Sequence, residues 1–467
     1  MRGAAPRPAE PPGVEVPARG RPGDRPRPGG GRPAAQGTPP GATRPAVREA
    51  QAGAPARALP PLRPAPNWPG PPGPDGAPLL DAKGLLPDEL ASLLASWGEP
   101  AYRGRQLFQW LHAKGARGFA EMTVLPAALR QRVERLAVPT AFTLLTRQAD
   151  PQDGTVKYLF ELADGQTVET VLMRYRYGYT ACVSSQVGCR MGCRFCASTL
   201  GGLKRNLLAG EMAEQIAFLN RDLAQRGDDR EAFPVPEAGP EEPGALEAPA
   251  TAAEAAARWR RVSRLVVMGM GEPLENLDAV ERFLRVVHEP TGAGIGMRHI
   301  TVSTAGVVPG IDRLAELALP ITLAISLHAP NDALRDGLVP LNRRYPLRAL
   351  LDACQRYVDR TGRRLTFEYV LIAGVNDLPE HARELGRLLR GLPCHINLIP
   401  LNPVAEWGLQ PSSAEATARF QGLLHGAGLP VTLRRQLGTA IDAACGQLRR
   451  RGPAAEAGAA GPEPPAP

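Results

Sequence analysis

Between residues 85 and 137 the apolar positions recur at helical spacing. Leu90, Leu93 and Leu94 follow a Pro87-Asp88-Glu89 start, and Tyr102, Leu107, Trp110 and Leu111 form a second apolar face. The pattern predicts a small helical module over 81–139. From 140 to 177 the period drops to two, as in Lys157-Tyr158-Leu159-Phe160-Glu161-Leu162 and Val168-Glu169-Thr170-Val171-Leu172, with Asp164-Gly165 between them. That alternation predicts a hairpin-like, β-rich connector. Beyond residue 178, short apolar runs alternate with helical stretches. The runs are 180–184, 264–270, 299–304, 321–328, 365–372 and 395–401, and the stretch 209–224 places Met212, Ile216, Leu219 and Leu223 on one face. Six β/α units with short loops predict an α/β fold in which 178–450 forms a partial (β/α)6 barrel. In such barrels the chemistry gathers at the C-terminal ends of the strands, so residues there carry most weight.

Composition separates three further segments from this pattern. Residues 1–80 hold 22 Pro and 13 Gly, with 11 Arg against 5 acids. A stretch so rich in Pro and Gly supplies neither regular hydrogen-bonded elements nor a packed core, and the segment is expected to be a disordered basic tail. Its net charge of +6 supplies most of the overall +8. Residues 226–260, with 8 acids against 4 Arg, read as an acidic low-complexity insert, and the Ala/Gly/Pro-rich 451–467 as a second disordered tail. No run reaches the ~18 apolar residues of a membrane span. The Met1-Arg2-Gly3-Ala4 start never reaches an apolar signal region, so a cytoplasmic protein is expected.

The candidate chemistry lies in the cysteines. The chain has 7 Cys, three of them crowded at Cys189, Cys193 and Cys196. Crowding of this kind suits metal ligation better than a disulfide framework. Zinc usually takes paired units that close to four ligands, and Cys182, Cys354, Cys394 and Cys445 each stand alone in the sequence. Three thiolates suit three corners of a [4Fe–4S] cluster whose fourth iron stays open to another ligand. On the residues alone, a zinc site and a cluster with a fourth Cys remain alternatives. Cys354 and Cys394 read as packing residues. The Gly269-Met270-Gly271-Glu272-Pro273 segment closes the second barrel strand and, alone, is an ordinary Gly-rich turn.

Together these residues resemble a known group. The C-x₃-C-x₂-C triplet, with Phe195 before its last Cys, follows the first barrel strand and resembles the radical S-adenosylmethionine (SAM) superfamily. The Gly269–Pro273 segment matches the stretch that meets the methionyl ammonium of SAM there. Cys182-Val-Ser-Ser-Gln-Val-Gly-Cys189, Leu203-Lys-Arg-Asn-Leu207, Val302-Ser-Thr-Ala-Gly306, Ile325-Ser-Leu-His-Ala329 and Ile441-Asp-Ala-Ala-Cys-Gly-Gln-Leu448 narrow the match. From about 85 to 450 the chain resembles the RlmN family, bacterial methyltransferases that act on carbon 2 of an adenine in 23S ribosomal RNA. That carbon is too electron-poor to attack a methyl donor in the polar way, and radical chemistry is a way around this.

The resemblance implies one [4Fe–4S] cluster per chain on Cys189, Cys193 and Cys196, and two SAM per turnover. Gly271 and Glu272 would meet the methionyl end of SAM, with Ser303, Ser326, Leu327, His328 and Asn402 lining the rest. Cys445 would carry the methyl group, Cys182 would release the product by forming a transient disulfide, and Glu169 would accept a proton. Without the resemblance, Glu169 reads as a solvated strand carboxylate, His328 as a satisfied core histidine and Cys445 as a small buried hydrophobe. The implied partners are 23S rRNA, with transfer RNA as a further candidate, and an electron donor such as flavodoxin. A monomer without membrane contact is expected. Lys204-Arg205, Arg343-Arg344, Arg434-Arg435 and Arg449-Arg450-Arg451 are candidate phosphate contacts.

Two alternatives stand beside this reading. The related family that methylates carbon 8 often has Cys where this chain has Val187, so the Val favours carbon 2. A non-catalytic Fe–S protein that binds RNA would need neither Cys182 nor Cys445.

Overall fold

A computed structural model describes residues 79–226, 260–438 and 441. The expected N-terminal tail up to residue 78, the insert within 227–259, Cys445 with its motif, Arg449–Arg451 and the C-terminal tail lie outside the described residues.

Strand β1 (Leu80–Asp81) leads into α1 (Pro87–Ala95), α2 (Tyr102–His112) and α3 (Ala127–Glu134), and β2 (Ala137–Val138) returns to pair with β1 in parallel. Helix α1 starts where the pattern predicts. Pro87 takes the first helical position, where a missing N–H costs nothing, and the Glu89 carboxylate accepts from Leu86 N at 2.8 Å. At Gly104, α2 runs so close to α1 that a Cβ would lie 2.3 Å from Ala91 N. Leu90, Leu94, Leu107, Phe108 and Leu111 are buried between them.

Strands β3 (Thr143–Ala149), β4 (Val156–Glu161), β5 (Thr167–Tyr175) and β6 (Gly178–Cys182) pair antiparallel in succession. The turn at Asp164-Gly165 forms as predicted, with Gly165 at φ +76. After β7 (Gln186–Val187) and β8 (Arg205–Asn206), which pair with each other, α4 (Ala209–Arg226) leads to β9 (Val262–Val267). Then come α5 (Leu277–His288), β10 (Ile300–Thr304), α6 (Val308–Leu317), β11 (Thr322–Ser326), α7 (Asp332–Leu338), α8 (Leu347–Thr361), β12 (Leu365–Leu371), α9 (Pro379–Leu388), β13 (Cys394–Pro400), α10 (Ala414–Gly426) and β14 (Val431–Leu433). One sheet of ten strands results, in the order β14-β13-β12-β11-β10-β9-β6-β5-β4-β3, parallel from β6 to β14.

All six predicted barrel strands are present as β6 and β9–β13. The first sits two residues earlier than its pattern: Val183 still bonds Val266 O and Gly269 N, but both main-chain groups of Ser184 turn to the Gln215 side chain, and the cysteine loop begins. Strand β14, three residues long, carries too short a pattern to be read. The β-rich connector continues the barrel sheet through β5 and β6. Cys354 is buried within α8, and Cys394, expected just ahead of its strand, opens β13.

Buried charges fix the helical module on α4 and α5. Lys83 and Glu214 form a fully buried ion pair, and Lys83 Nζ also donates to Thr140 O at 2.9 Å. Asp81 accepts from Gly210 N at 2.7 Å, Arg221 bridges Glu214 and Gly115 O, and Arg282 pairs with Glu89 at 2.6 Å. Stripping one partner from such a buried pair costs about 3–5 kcal/mol, so these contacts select one docked orientation. Among the described residues, no helix is long and apolar enough to cross a membrane.

Candidate active site

The cysteine loop begins where β6 ends. Its base is the β7–β8 ribbon, and Gly188 turns the chain at φ +76, where a Cβ would come 1.9 Å from Gly202 O. Only glycine fits that close approach. Cys189 and Cys193 are buried and Cys196 is half-buried, packed among Met191, Val339, Val370, Ile372 and Leu401. Trp407 Nε1 and Thr199 Oγ1 both donate to Cys196 O, and Arg194 N donates to Leu338 O. Burial pushes the Cys189 thiol up to about 12 and Cys193 well above the usual thiol range, and a charge on Cys196 raises both further.

The three thiols are therefore close enough to repel one another when ionised, in an apolar setting that disfavours thiolate. Bound iron reverses both penalties, because ligation takes the thiolate form. Among the described residues, no three His, Cys, Asp or Glu side chains are placed to hold a single metal ion. A cluster asks for less convergence than zinc does, since each thiolate binds its own iron. The donor set fits a three-cysteine cluster.

Beside this loop, Gly269–Pro273 follows β9. A Cβ on Gly269 would meet Val183 O at 2.6 Å, and Gly271, at φ +110, lies as close to the Gln186 side chain. Glu272 is buried. Its carboxylate accepts from Leu274 N at 3.0 Å and Ala305 N at 2.7 Å, and its own N–H donates to Gln186 Oε1. Burial pushes its pKa up to about 7. Arg190 clamps Glu275 through paired bonds, joining the cysteine loop to the segment after Glu272.

Across the next strands, Ser303 Oγ lies 3.3 Å from Ser326 Oγ. His328 is held at φ +58, a costly backbone region for a non-glycine residue. Its Nδ1 accepts from Val370 N at 3.1 Å, which leaves the ring proton on Nε2, and its ring meets Phe195 edge-on with centroids 4.6 Å apart. Burial, with the nearby Arg335 cation, drops its pKa to about 3, so the imidazole is neutral. Arg335 is itself fully buried, donating to Leu327 O, Ser326 O, Ala305 O and Asn342 Oδ1. It pins the carbonyls at the C-terminal ends of β10 and β11. Asn402 is exposed just beyond β13.

Glu169 and Cys182 occupy the adjoining part of the sheet. Glu169 is not solvated: its carboxylate lies 3.0 Å from Lys157 Nζ, and both side chains are buried. Two residues along the same face of β5, Val171 is the register partner of Cys182. Cys182, Val171 and Met173 form a small apolar cluster with Val266, Met268 and Leu437 packed on it. Gly438 N donates to Asp153 Oδ2 at 2.8 Å. The segment that leads toward Cys445 thus crosses the face that carries Cys182.

Several residues of the site escaped the sequence reading. Ser184 Oγ donates to Glu169 O at 2.6 Å and accepts from Met270 N, while Gln215 on α4 bonds both Ser184 main-chain groups and Thr170 Oγ1. A Gln set among Met212, Ile216 and Leu219 was the available signal. Arg205, a candidate phosphate contact, is instead committed to Asp164 and Glu211 at 2.7 and 2.8 Å.

With this geometry in place, the likeness to known proteins is specific. Residues 183–386 match the radical SAM superfamily and residues 80–138 the ribosomal RNA large subunit methyltransferase N-terminal domain. A probable dual-specificity RNA methyltransferase RlmN from Symbiobacterium thermophilum is 50% identical over 372 residues, which is 79% of this chain and 91% of the relative. The chain belongs to the RlmN family. Its counterpart in Pelotomaculum thermopropionicum is 49% identical over 80% of this chain and 92% of its own length. The crystal structure of a radical SAM methyltransferase from Sphaerobacter thermophilus, 46% identical, superposes with a TM-score of 0.69 over 79% of this chain and 99% of that one. The protein is thus an RlmN-type radical SAM RNA methyltransferase, and its family implies a [4Fe–4S] cluster and SAM.

Proposed function

We propose that this RlmN-family enzyme methylates carbon 2 of an adenine in 23S rRNA through a methylated Cys445, with transfer RNA as a second substrate and the cytoplasm as its setting. One cluster per chain and two SAM per turnover complete the scheme, with a flavodoxin-type electron donor and a monomeric enzyme. The observation that carries the reading is the shared sheet face of Cys182 and Glu169, beside the cysteine loop and beneath the segment that leads to Cys445.

Cys189, Cys193 and Cys196 would hold the cluster. Bound together, cluster and SAM supply one-electron chemistry able to activate an otherwise inert methyl group. Because the Glu272 carboxylate is occupied by two backbone N–H groups, the Gly269–Glu272 loop would offer SAM its main chain. Ser303, Ser326, Leu327, His328 and Asn402 would line the remainder. Once the methyl carbon of Cys445 is joined to the base, Glu169 takes the carbon 2 proton, and the unpaired electron that the addition leaves on the base would return to the bound cluster. The Cys182 thiolate then attacks Cys445 Sγ, forming the disulfide; the sulfur–carbon bond breaks with its electron pair on the methylene carbon, which takes a proton to become the product methyl group. Lys157 holds the Glu169 side chain in place for its step.

The test is product analysis. RNA incubated with cluster-loaded enzyme, SAM and a reductant is digested to nucleosides and examined by mass spectrometry against synthetic standards. 2-Methyladenosine is expected. 8-Methyladenosine, or no methylated adenosine, overturns the reading.

A further inference from the structure

The inner face of the barrel carries an unbroken polar row. Ser326, Glu368, Asn397 and Thr432 are successive register partners on β11, β12, β13 and β14. Thr432 Oγ1 donates to Asn397 Oδ1 at 2.7 Å, and Asn397 Nδ2 donates to Glu368 Oε1 at 3.1 Å. The row shares its face with the cysteine loop. Two residues along β12 from Glu368, Val370 packs with Cys189 and Cys193, whereas Tyr369 points to the helix layer with its ring 5.3 Å from Phe420.

Within this row Glu368 is only 4% exposed, and its Oε2 is buried with no hydrogen-bond partner among the described residues. Burial raises its pKa, and the Arg434 charge and the Asn397 bond oppose that rise. Buried polar atoms are nearly always partnered, and an unmet carboxyl oxygen in the interior calls for an explanation. A ligand that brings a proton donor supplies one. Both ligands of the proposed reaction, SAM and the target nucleotide, carry an adenine whose exocyclic amine is a neutral two-proton donor. Phosphate has no such proton, and the methionyl ammonium belongs by the reading above at Gly269–Glu272, three strands away beside β9.

We propose that Glu368 binds adenine inside the barrel, its Oε2 accepting a hydrogen bond from the exocyclic amine. This rests on the reading of the enzyme as an adenine methyltransferase. Glu368→Gln tests it with little change of shape. Asn397 Nδ2 fixes the new amide oxygen on its own side, so an NH₂ group replaces Oε2 and meets the ligand amine donor to donor.

The variant and the wild type, both loaded with cluster, are compared in two assays. One measures kcat/KM on RNA carrying either adenine or unsubstituted purine at the target position, and the other measures SAM affinity by calorimetry. If Glu368 reads the RNA base, the wild type prefers adenine by about tenfold or more and Glu368→Gln loses the preference, with SAM affinity unchanged. If it reads SAM, affinity for SAM falls by about tenfold and the base preference stays. The proposal is overturned if neither changes. It is equally overturned if Glu368→Gln loses iron or fails to fold, because that shows a structural carboxyl. A wild type that methylates no adenine defeats the assigned reaction, and the SAM assay then decides the role of Glu368 alone.

Discussion

Cys182 is buried to all but 8% of its surface beside Val171 and Met173, which is also how an inert packing thiol looks. The two roles separate on substitution. A packing thiol replaced by Ala costs on the order of 1 kcal/mol or less and leaves turnover largely intact. If Cys182 resolves the adduct, Cys182→Ala leaves Cys445 joined to the base, and a covalent protein–RNA species accumulates that requires SAM, reductant and Cys445. Denaturing gels with labelled RNA read this directly, and normal turnover without cross-linked RNA removes the disulfide step. The cysteine triplet was legible in the sequence because its spacing is local. The burial of Glu169 was not, because its partner Lys157 lies across a hairpin and meets it only in the folded register. Arg335 was equally hidden. Nothing in Asp332-Ala-Leu-Arg335 marks an arginine whose guanidinium ends fully buried against three carbonyls at the ends of two strands.

At the scale of elements, strand and helix order could be read because apolar periodicity is a short-range signal. The β7–β8 ribbon and β14 were lost because two or three residues cannot display a period. The ribbon matters for the site, since Gly188 there turns the chain into the cysteine loop against Gly202 O. Gly188→Ala is expected to displace the loop and cut the iron content of reconstituted protein severely, while α1–α3 stay folded. A variant with full iron content would show that the approach relaxes cheaply. A second prediction belongs to α2. His112 is buried against the Phe108 ring, with its pKa pushed down to about 3 by burial and by the Lys83 charge. The unfolded chain takes up this proton below about pH 6.5, and the folded one does not until about pH 3. Its contribution is thus fully present above pH 6.5 and declines as the pH falls, by about 2 kcal/mol between pH 7 and pH 5. His112→Phe should therefore narrow the drop in melting temperature over that range. The buried His328, with a pKa near 3 for the same chief cause, keeps its own acid sensitivity and serves as the internal reference. An unchanged drop in His112→Phe would mean that the imidazole is already protonated in the fold.

For the whole molecule, the docked helical module and the ten-stranded sheet are one unit in which every proposed site residue except Cys445 is described. The helical module is tied to α4 by Lys83–Glu214 and Asp81–Gly210, and α4 is tied through Gln215 to Ser184 and so to Glu169 and Met270. The helical module is thereby held in fixed relation to the strands that carry the proposed site residues. The segments of biased composition fall almost wholly outside the described residues. They contain none of the proposed site residues, and their biased Pro-, Gly- and Ala-rich compositions cannot build a core. A chain lacking residues 1–78 and 228–256 should keep its iron content and most of its turnover. The 11 Arg against 5 acids in residues 1–80 can add RNA affinity only through phosphate charge, which weakens as salt displaces it. The full and shortened chains should therefore differ most in KM for RNA at low ionic strength and converge as salt is raised, with kcat unchanged throughout. Loss of kcat at every salt concentration, with the cluster intact, would show that one of these segments takes part in the reaction itself.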